Sequence, residues 1–301
     1  MAGNAQPAVA MLGTGIMGAG MARSMLRAGL PVHAWNRTGA RAKALEPDGA
    51  VVAATAADAA READVIVTML PDSDVVADVM RKAAPGLRAG QVWAQASTVG
   101  LTGVKQLARV AAEYDLLFVD SPVLGTRQPA ERGALTVFAA GPDRARERVQ
   151  PVFDAIGERT VWLGTAVGAA SRLKLVVNSW LLAVTNATAE TLALARGLGV
   201  DQDLFVQVVS GGPLDCLYMQ TKAAAIMKGD FTPNFTVSMA GKDADLVVMA
   251  SQAAGLRLDL AEAAARRFRR AAELGHGEED MAATYFASFD DDGGADHDQP
   301  G

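Results

Sequence analysis

Three polar side chains, Ser171, Lys174 and Asn178, stand at i, i+3 and i+7 in a largely apolar stretch. On a helix that spacing aligns them along one face. An amine flanked by Leu173, Leu175 and Val177 has its charged form disfavoured by desolvation, which moves a lysine toward useful proton transfer. A lysine snorkelling at a helix start gives the same pattern, and the polar partners tilt the reading toward chemistry. A second group lies near the start of the chain. Gly13-Thr14-Gly15-Ile16-Met17-Gly18 joins an apolar run at 8–12 to a helical stretch ending at Arg27-Ala28-Gly29, and a second apolar run follows at 30–35. In the order strand, turn, helix, strand, Gly13 permits the turn, Gly15 lets the backbone approach a pyrophosphate, and Gly18 allows close helix–strand packing.

The residues after the second strand bear on which dinucleotide binds. A free ribose 2′-hydroxyl is usually held by Asp or Glu here, whereas a 2′-phosphate needs a cation and no competing carboxylate. The chain has Asn36-Arg37-Thr38, with Arg41 and Lys43 shortly after. Arg37 can fork onto a phosphate and stack on adenine, while Asn36 and Thr38 add hydrogen bonds without negative charge. NADP(H) is therefore expected in preference to NAD(H).

These groups need elements to position them. Apolar runs at 50–53, 64–70, 91–94, 116–119 and 135–139 alternate with helical segments at 56–62, 75–82, 102–114 and 143–156. That alternation predicts an α/β fold with a mostly parallel, doubly wound sheet of the Rossmann type. In such sheets ligands meet the loops at the carboxyl ends of strands, here Leu70-Pro71-Asp72, Ser97-Thr98 and Asp120-Ser121-Pro122. Past Gly164 the pattern turns helical, with one long helix over 168–198 and further segments at 203–209, 220–227, 242–254 and 260–274. The expected organisation is a dinucleotide-binding domain over 1–164 and an all-α domain over 165–289, joined by the long helix. Residues 290–301 form an acidic tail too poor in apolar residues to pack, expected to be disordered. The apolar surplus of the helical half suggests burial against another subunit.

Bulk properties narrow the class. A chain of 301 residues exceeds what one core usually serves. Half of it is hydrophobic, yet no run is long enough to span a bilayer, so a soluble globule is expected. The opening MAGNAQPA lacks a basic segment ahead of an apolar one, so no export signal is expected. The single cysteine, Cys216, excludes an intramolecular disulfide and fits a reducing cytoplasm. Of the net charge of −6, Asp290, Asp291, Asp292, Asp296 and Asp298 supply five units. The remainder lacks the basic field that nucleic-acid binding requires. No metal site is expected.

With these segments in order, the chain resembles the β-hydroxyacid dehydrogenase family over about residues 8–286. The resemblance rests on the glycine turn with the Met21-Ala22 helix, on Asn36-Arg37-Thr38, on Asp120-Ser-Pro-Val-Leu-Gly-Thr126, on the helix from Gly168 to Asn178, and on Gly241-Lys242-Asp243-Ala-Asp-Leu246. It implies a reversible hydride transfer between a small β-hydroxyacid and its semialdehyde or ketone. Lys174 would be the general acid and base, and Asn178 would orient the lysine or the substrate oxygen. Thr98 and Leu70-Pro71 would lie beside the nicotinamide ribose, and Lys242 would close over the cofactor. Leu124, Gly125 and Thr126 would receive the substrate. The family's loop usually reads Asp-Ala-Pro-Val-Ser-Gly-Gly, so Leu124 removes a hydroxyl donor and adds apolar volume, while Thr126 and Arg127 offer a hydroxyl and a charge. A homodimer or tetramer is expected by analogy. Two other readings stay open: imine reduction, since imine reductases resemble this family and often carry the same Trp35-Asn36-Arg37-Thr38, and a cofactor-bound scaffold without catalysis. Retention of Lys174 favours the carbonyl chemistry over both.

Overall fold

A computed structural model describes residues 6–290, so most of the acidic tail, 291–301, and residues 1–5 lie outside the described residues. The chain forms two compact units, one ending at Lys174 and the next beginning at Leu175.

The first unit is built on a six-stranded sheet. In chain order its elements are β1 (Val9–Leu12), α1 (Ile16–Arg27), β2 (Val32–Trp35), α2 (Gly39–Lys43), β3 (Val51–Val52), α3 (Ala56–Arg61), β4 (Val65–Thr68), α4 (Ser73–Ala83), β5 (Val92–Gln95), α5 (Gly100–Glu113) and β6 (Leu117–Asp120). The strands lie in the order β3-β2-β1-β4-β5-β6, all parallel. The chain leaves the middle of this sheet in both directions from β1. That reversal opens a crevice at the carboxyl ends of β1 and β4.

Strands of a parallel sheet are covered on both faces, which is why β1, β4, β5 and β6 are buried along their whole length. Their side chains alternate between two cores. Val9, Met11, Val65, Val67, Val92, Ala94, Leu117 and Val119 pack on one side, and Ala10, Leu12, Ile66, Trp93 and Phe118 on the other. Trp93 is fully buried, meets Phe118 edge-on at 5.2 Å and donates its indole N–H to Thr68 Oγ1 at 3.0 Å. The helices α3 and α4 start at side-chain caps: Thr55 Oγ1 accepts from Asp58 N, and Asp72 Oδ1 accepts from Val75 N at 2.8 Å.

One expectation is corrected. Residues 135–139 do form a strand, but not in the main sheet: β8 (Leu135–Ala139) belongs to a second sheet with β7 (Val123–Leu124) and β9 (Gly157–Trp162), which it separates. An isolated bridge between Asp120 and Ala140 is where the chain passes from one sheet to the other. Neither β7 nor β9 carries an apolar run. β7 is only two residues long, and β9 reads Gly-Glu-Arg-Thr-Val-Trp with its charged residues exposed at a sheet edge. Between them α6 (Arg127–Arg132) packs on α1 and α7 (Asp143–Ile156) lies over the first core.

From α8 (Ala169–Gly197) onward every named element is helical: α9 (Gln202–Val209), α10 (Leu217–Lys228), α11 (Val237–Ala253), α12 (Asp259–Ala271) and a final 3₁₀ stretch, Met281–Ser288. Helices α10 and α11 begin several residues earlier than apolar periodicity alone indicates, because Cys216 Sγ and Thr236 Oγ1 cap them by accepting from Met219 N and Met239 N. The core of this unit includes Ala189, Leu192, Met219, Ala223, Ile226 and Tyr285. Beside it Lys222 Nζ meets Asp280 Oδ1 at 2.6 Å in a buried ion pair. Among the described residues no helix is long and apolar enough to cross a membrane.

Candidate active site

The glycines of the first turn are held by different constraints. Gly13 has φ +103°, and a Cβ there would stand 2.4 Å from the Met69 carbonyl oxygen. A Cβ on Gly18 would stand 1.9 Å from the Gly13 carbonyl oxygen. Both positions therefore require glycine for the fold itself. Gly15 does not: its φ is −74°, and a Cβ would meet nothing within 4 Å. The residue faces open space at the start of α1. That helix has no side-chain cap and no acidic residue in its first turn, so the amides around Ile16 and Met17 are left for another acceptor. A methyl-sized gap before uncapped helix amides suits the pyrophosphate of a dinucleotide, and the turn fits that group.

Asn36 ties this turn to the next loop. Its Oδ1 accepts from Thr14 N and its Nδ2 donates to Thr38 O, each at 3.1 Å. Arg37 and Thr38 are exposed just past β2, with Arg41 and Lys43 exposed on α2.

The carboxyl ends of β4, β5 and β6 are Thr68, Gln95 and Asp120, all fully buried and polar. Gln95 brackets Ser97, donating from Nε2 to its carbonyl and accepting from its amide, both at 2.8 Å. Ser97 Oγ in turn accepts from Leu70 N at 2.9 Å. One glutamine thereby fixes two ligand-side loops, that of Leu70 and Pro71 and that of Thr98. Gln95 escapes a search for loop motifs; the available signal was an amide at the end of an apolar run.

The loop expected to receive the substrate follows β6. Leu124, Gly125 and Thr126 are each half-buried. Gly125 has φ +130°, and a Cβ there would press on Leu135 Cδ2 at 2.6 Å. Arg127 opens α6 and pairs with Glu131 at 3.0 Å. The same helix docks on α1, where Gly20 lets the Glu131 amide approach and Ser24 Oγ donates to Ala130 O at 2.8 Å. Helix α1 and the helix that ends the 124–126 loop are thus braced against each other within one unit.

Lys174 lies in this first unit, 8% exposed, one turn beyond Ser171 on α8. Ser171 donates twice to the Asp120 carboxylate, from its amide to Oδ2 and from its hydroxyl to Oδ1, both at 2.8 Å. Burial holds the Asp120 carboxyl above the ordinary Asp range, and the two Ser171 bonds and the nearby Arg172 oppose that rise.

Asn178 and Lys242 lie in the second unit and are joined there by Asp243. Asn178 Nδ2 donates to Asp243 Oδ2 at 2.8 Å. Lys242 Nζ lies 2.8 Å from Asp243 Oδ1, an ion pair with a buried carboxylate. Asp243 carries no role in the sequence reading. Its signal is a carboxylate on the buried face of α11, in line with Ala240, Ala244 and Val247.

The family model described as the NAD binding domain of 6-phosphogluconate dehydrogenase matches residues 8–164. That described as the NAD-binding of NADP-dependent 3-hydroxyisobutyrate dehydrogenase matches residues 168–287. The chain is 29% identical over 282 residues to cytokine-like nuclear factor N-PAC of Homo sapiens, covering 93% of this chain and 51% of that protein. It thus spans about half the length of the N-PAC relatives it matches. It is 32% identical over 279 residues to L-threonate dehydrogenase of Cupriavidus necator, covering 91% of this chain and 94% of the other. The solved 3-hydroxyisobutyrate dehydrogenase of Salmonella typhimurium superposes with a TM-score of 0.85 at 29% identity, covering 92% of this chain and 98% of that one. An imine reductase from Pseudomonas sp., at 24% identity and a TM-score of 0.62 over 94% of this chain and all of its own, shares the fold alone. Two family models in sequence over nearly the whole chain, with a full-length relative at 32% identity, show that the chain belongs to the β-hydroxyacid dehydrogenase family of NAD(P)-dependent oxidoreductases.

Proposed function

We propose that the chain is an NADP(H)-dependent dehydrogenase that interconverts a small β-hydroxyacid, or a related alcohol, and its semialdehyde or ketone. The observation that carries the reading is Lys174, a buried amine in the same unit as the glycine turn, on a helix pinned at its first turn to the end of β6. When bound, the nicotinamide supplies or accepts the hydride. The chain's own groups do the rest. Lys174 gives a proton to the substrate oxygen as a carbonyl is reduced and takes it back in oxidation. Asn178, its amide oriented by Asp243, retains one N–H and its Oδ1 to hold the substrate oxygen or the ammonium. Gly15, Ile16 and Met17 receive the pyrophosphate through backbone amides, Gln95 and Ser97 hold Leu70, Pro71 and Thr98 beside the ribose, and Lys242 closes over the cofactor.

The preference for the 2′-phosphorylated cofactor rests on Arg37, Arg41 and Lys43, all exposed just past β2, with no carboxylate between 36 and 45. Leu124 shapes the substrate. A half-buried apolar side chain in this loop selects a short substrate whose carbon chain, rather than a further hydroxyl, touches residue 124. Similar proteins named for L-threonate and 3-hydroxyisobutyrate support a short hydroxyacid. Imine reduction is the competing reading, favoured by the donor that Leu124 removes and opposed by Lys174. A second copy of the chain is expected to cover apolar surface on the helical unit, where Trp180 is 70% exposed and Leu194 62%; light scattering on the purified protein measures it.

The test is a panel of short 3-hydroxyacids, semialdehydes and cyclic imines, each assayed with both cofactors. Turnover of hydroxyacids or semialdehydes with a higher kcat/KM for NADP(H) is the expected result. Turnover of imines alone, or a preference for NAD(H), overturns the corresponding part.

A further inference from the structure

We propose that Asp120 is a positioning residue for Lys174: it holds the first turn of α8 from the end of β6 and so sets the lysine against the substrate loop. This rests on the proposed acid–base role of Lys174. The argument starts from the helix end. A helix leaves its first amides without intrahelical partners, and the residue before the first turn usually caps one of them with a side-chain oxygen. The residue before Ala169 is Gly168, which has no side chain and takes φ +83°. The cap comes instead from across the unit. Asp120, 51 residues earlier, accepts from Ser171 N at 2.8 Å with one oxygen and from Ser171 Oγ at 2.8 Å with the other. Two bonds to one residue fix both the axial position and the rotation of the turn.

Rotation matters because Lys174 follows Ser171 by three residues and therefore shares its face. Asp120 is itself immobilised, with no exposed surface and a reciprocal backbone bridge to Ala140 at 2.9 Å in each direction. It is also the residue from which the Leu124-Gly125-Thr126 loop departs. One carboxylate thus sets the spacing between the amine and the loop. The acid is tolerated at full burial because a helix N-terminus favours negative charge and Arg172 lies near it.

The experiment uses Asp120→Ala, Asp120→Asn, Ser171→Ala and Lys174→Met. Each is assayed for kcat and KM with NADP+ and 3-hydroxyisobutyrate or L-threonate, for NADPH affinity by fluorescence, and for amide exchange over residues 166–178. Asp120→Ala is expected to speed exchange in the first turn of α8 and to lower kcat by about 100-fold, as a displacement near 1 Å does, with NADPH affinity within about twofold. Asp120→Asn keeps an acceptor for the amide and offers an N–H to Ser171 Oγ, so it should restore both protection and most of the rate. Ser171→Ala, which keeps the backbone bond, should give a smaller loss in the same direction. If Asp120→Ala fails to fold, the Asn and Ser171 variants carry the test. Unchanged exchange and kcat in Asp120→Ala or Ser171→Ala, or exchange raised evenly through the unit without recovery in Asp120→Asn, overturns the proposal. Full turnover by Lys174→Met refutes the lysine reading and with it the positioning role, and faster exchange in Asp120→Ala would then leave Asp120 as a helix cap only.

Discussion

Gly15 and Gly18 sit three residues apart in one turn, and replacing each by alanine should separate binding from folding. At Gly18 the new Cβ would lie 1.9 Å from the Gly13 carbonyl oxygen, more than 1 Å inside ordinary contact, and the listener to that clash is backbone at the mouth of β1. Overpacking of this kind costs about 1–3 kcal/mol, which for a unit of this size lowers Tm by roughly 2–12 °C. At Gly15 the Cβ meets nothing and φ is −74°, which alanine adopts freely. Its smaller unfolded-state entropy, worth about 0.4–1 kcal/mol, is offset by the poorer N-cap preference of alanine, and Tm should stay within about 2 °C. The methyl would fill the space proposed for the pyrophosphate. Loss of one amide bond to a charged group, about 1.5–3 kcal/mol, weakens NADPH binding by roughly 10- to 150-fold. Thermal unfolding without cofactor and fluorescence titration with NADPH measure both. A Gly15→Ala protein that binds NADPH as tightly as the parent, or that loses as much stability as Gly18→Ala, would refute the reasoning.

Arg37→Ala should lower kcat/KM for NADPH by about 10- to 100-fold through one lost charge-assisted contact and leave NADH almost unaffected; an equal loss with both cofactors counts against a 2′-phosphate contact. Lys174→Met should lower kcat by roughly 10²–10⁴, the span of general acid–base groups, while NADPH affinity is retained; turnover measured at saturating substrate checks it. Asp120 adds a pH dependence whose sign follows from its raised pKa. The folded state holds this proton more tightly than the unfolded chain, so its contribution is fully present below the unfolded value near 3.8 and is lost as pH rises through the higher folded value. Asp120→Asn cannot ionise, so the Tm of the parent minus that of the variant should fall as pH rises from about 4; a difference that stays flat or grows contradicts the burial of an ionising carboxyl.

The strand, turn and first helix were readable because each is announced locally, by an apolar run, by glycines at fixed spacing and by helical periodicity. The long α8 was readable on the same ground. β9 was not, because an edge strand with Glu158 and Arg159 facing water carries no apolar run. Nor could 135–139 be assigned to its own sheet, since a buried strand looks the same whichever neighbour it pairs with. The site divides in the same way. The roles expected of Gly13, Gly15, Gly18 and Arg37 come from spacing and position, and that of Lys174 from its polar line and the family resemblance. Gln95 and Asp243 were not, because each acts through a partner that the chain brings in by folding.

What the amino-acid order alone determined is therefore most of the elements and the side chains they carry: a glycine turn, a basic loop, and a helix with an amine among leucines. The tertiary structure decided which groups stand against one another. Asp120 meets Ser171 across 51 residues and Asn178 meets Asp243 across 65. Periodicity and turn chemistry are properties of neighbours within a few residues, and they persist in any fold. A hydrogen bond between distant residues exists only where packing has brought two faces together, and the burial that makes such a bond strong is itself a product of that packing.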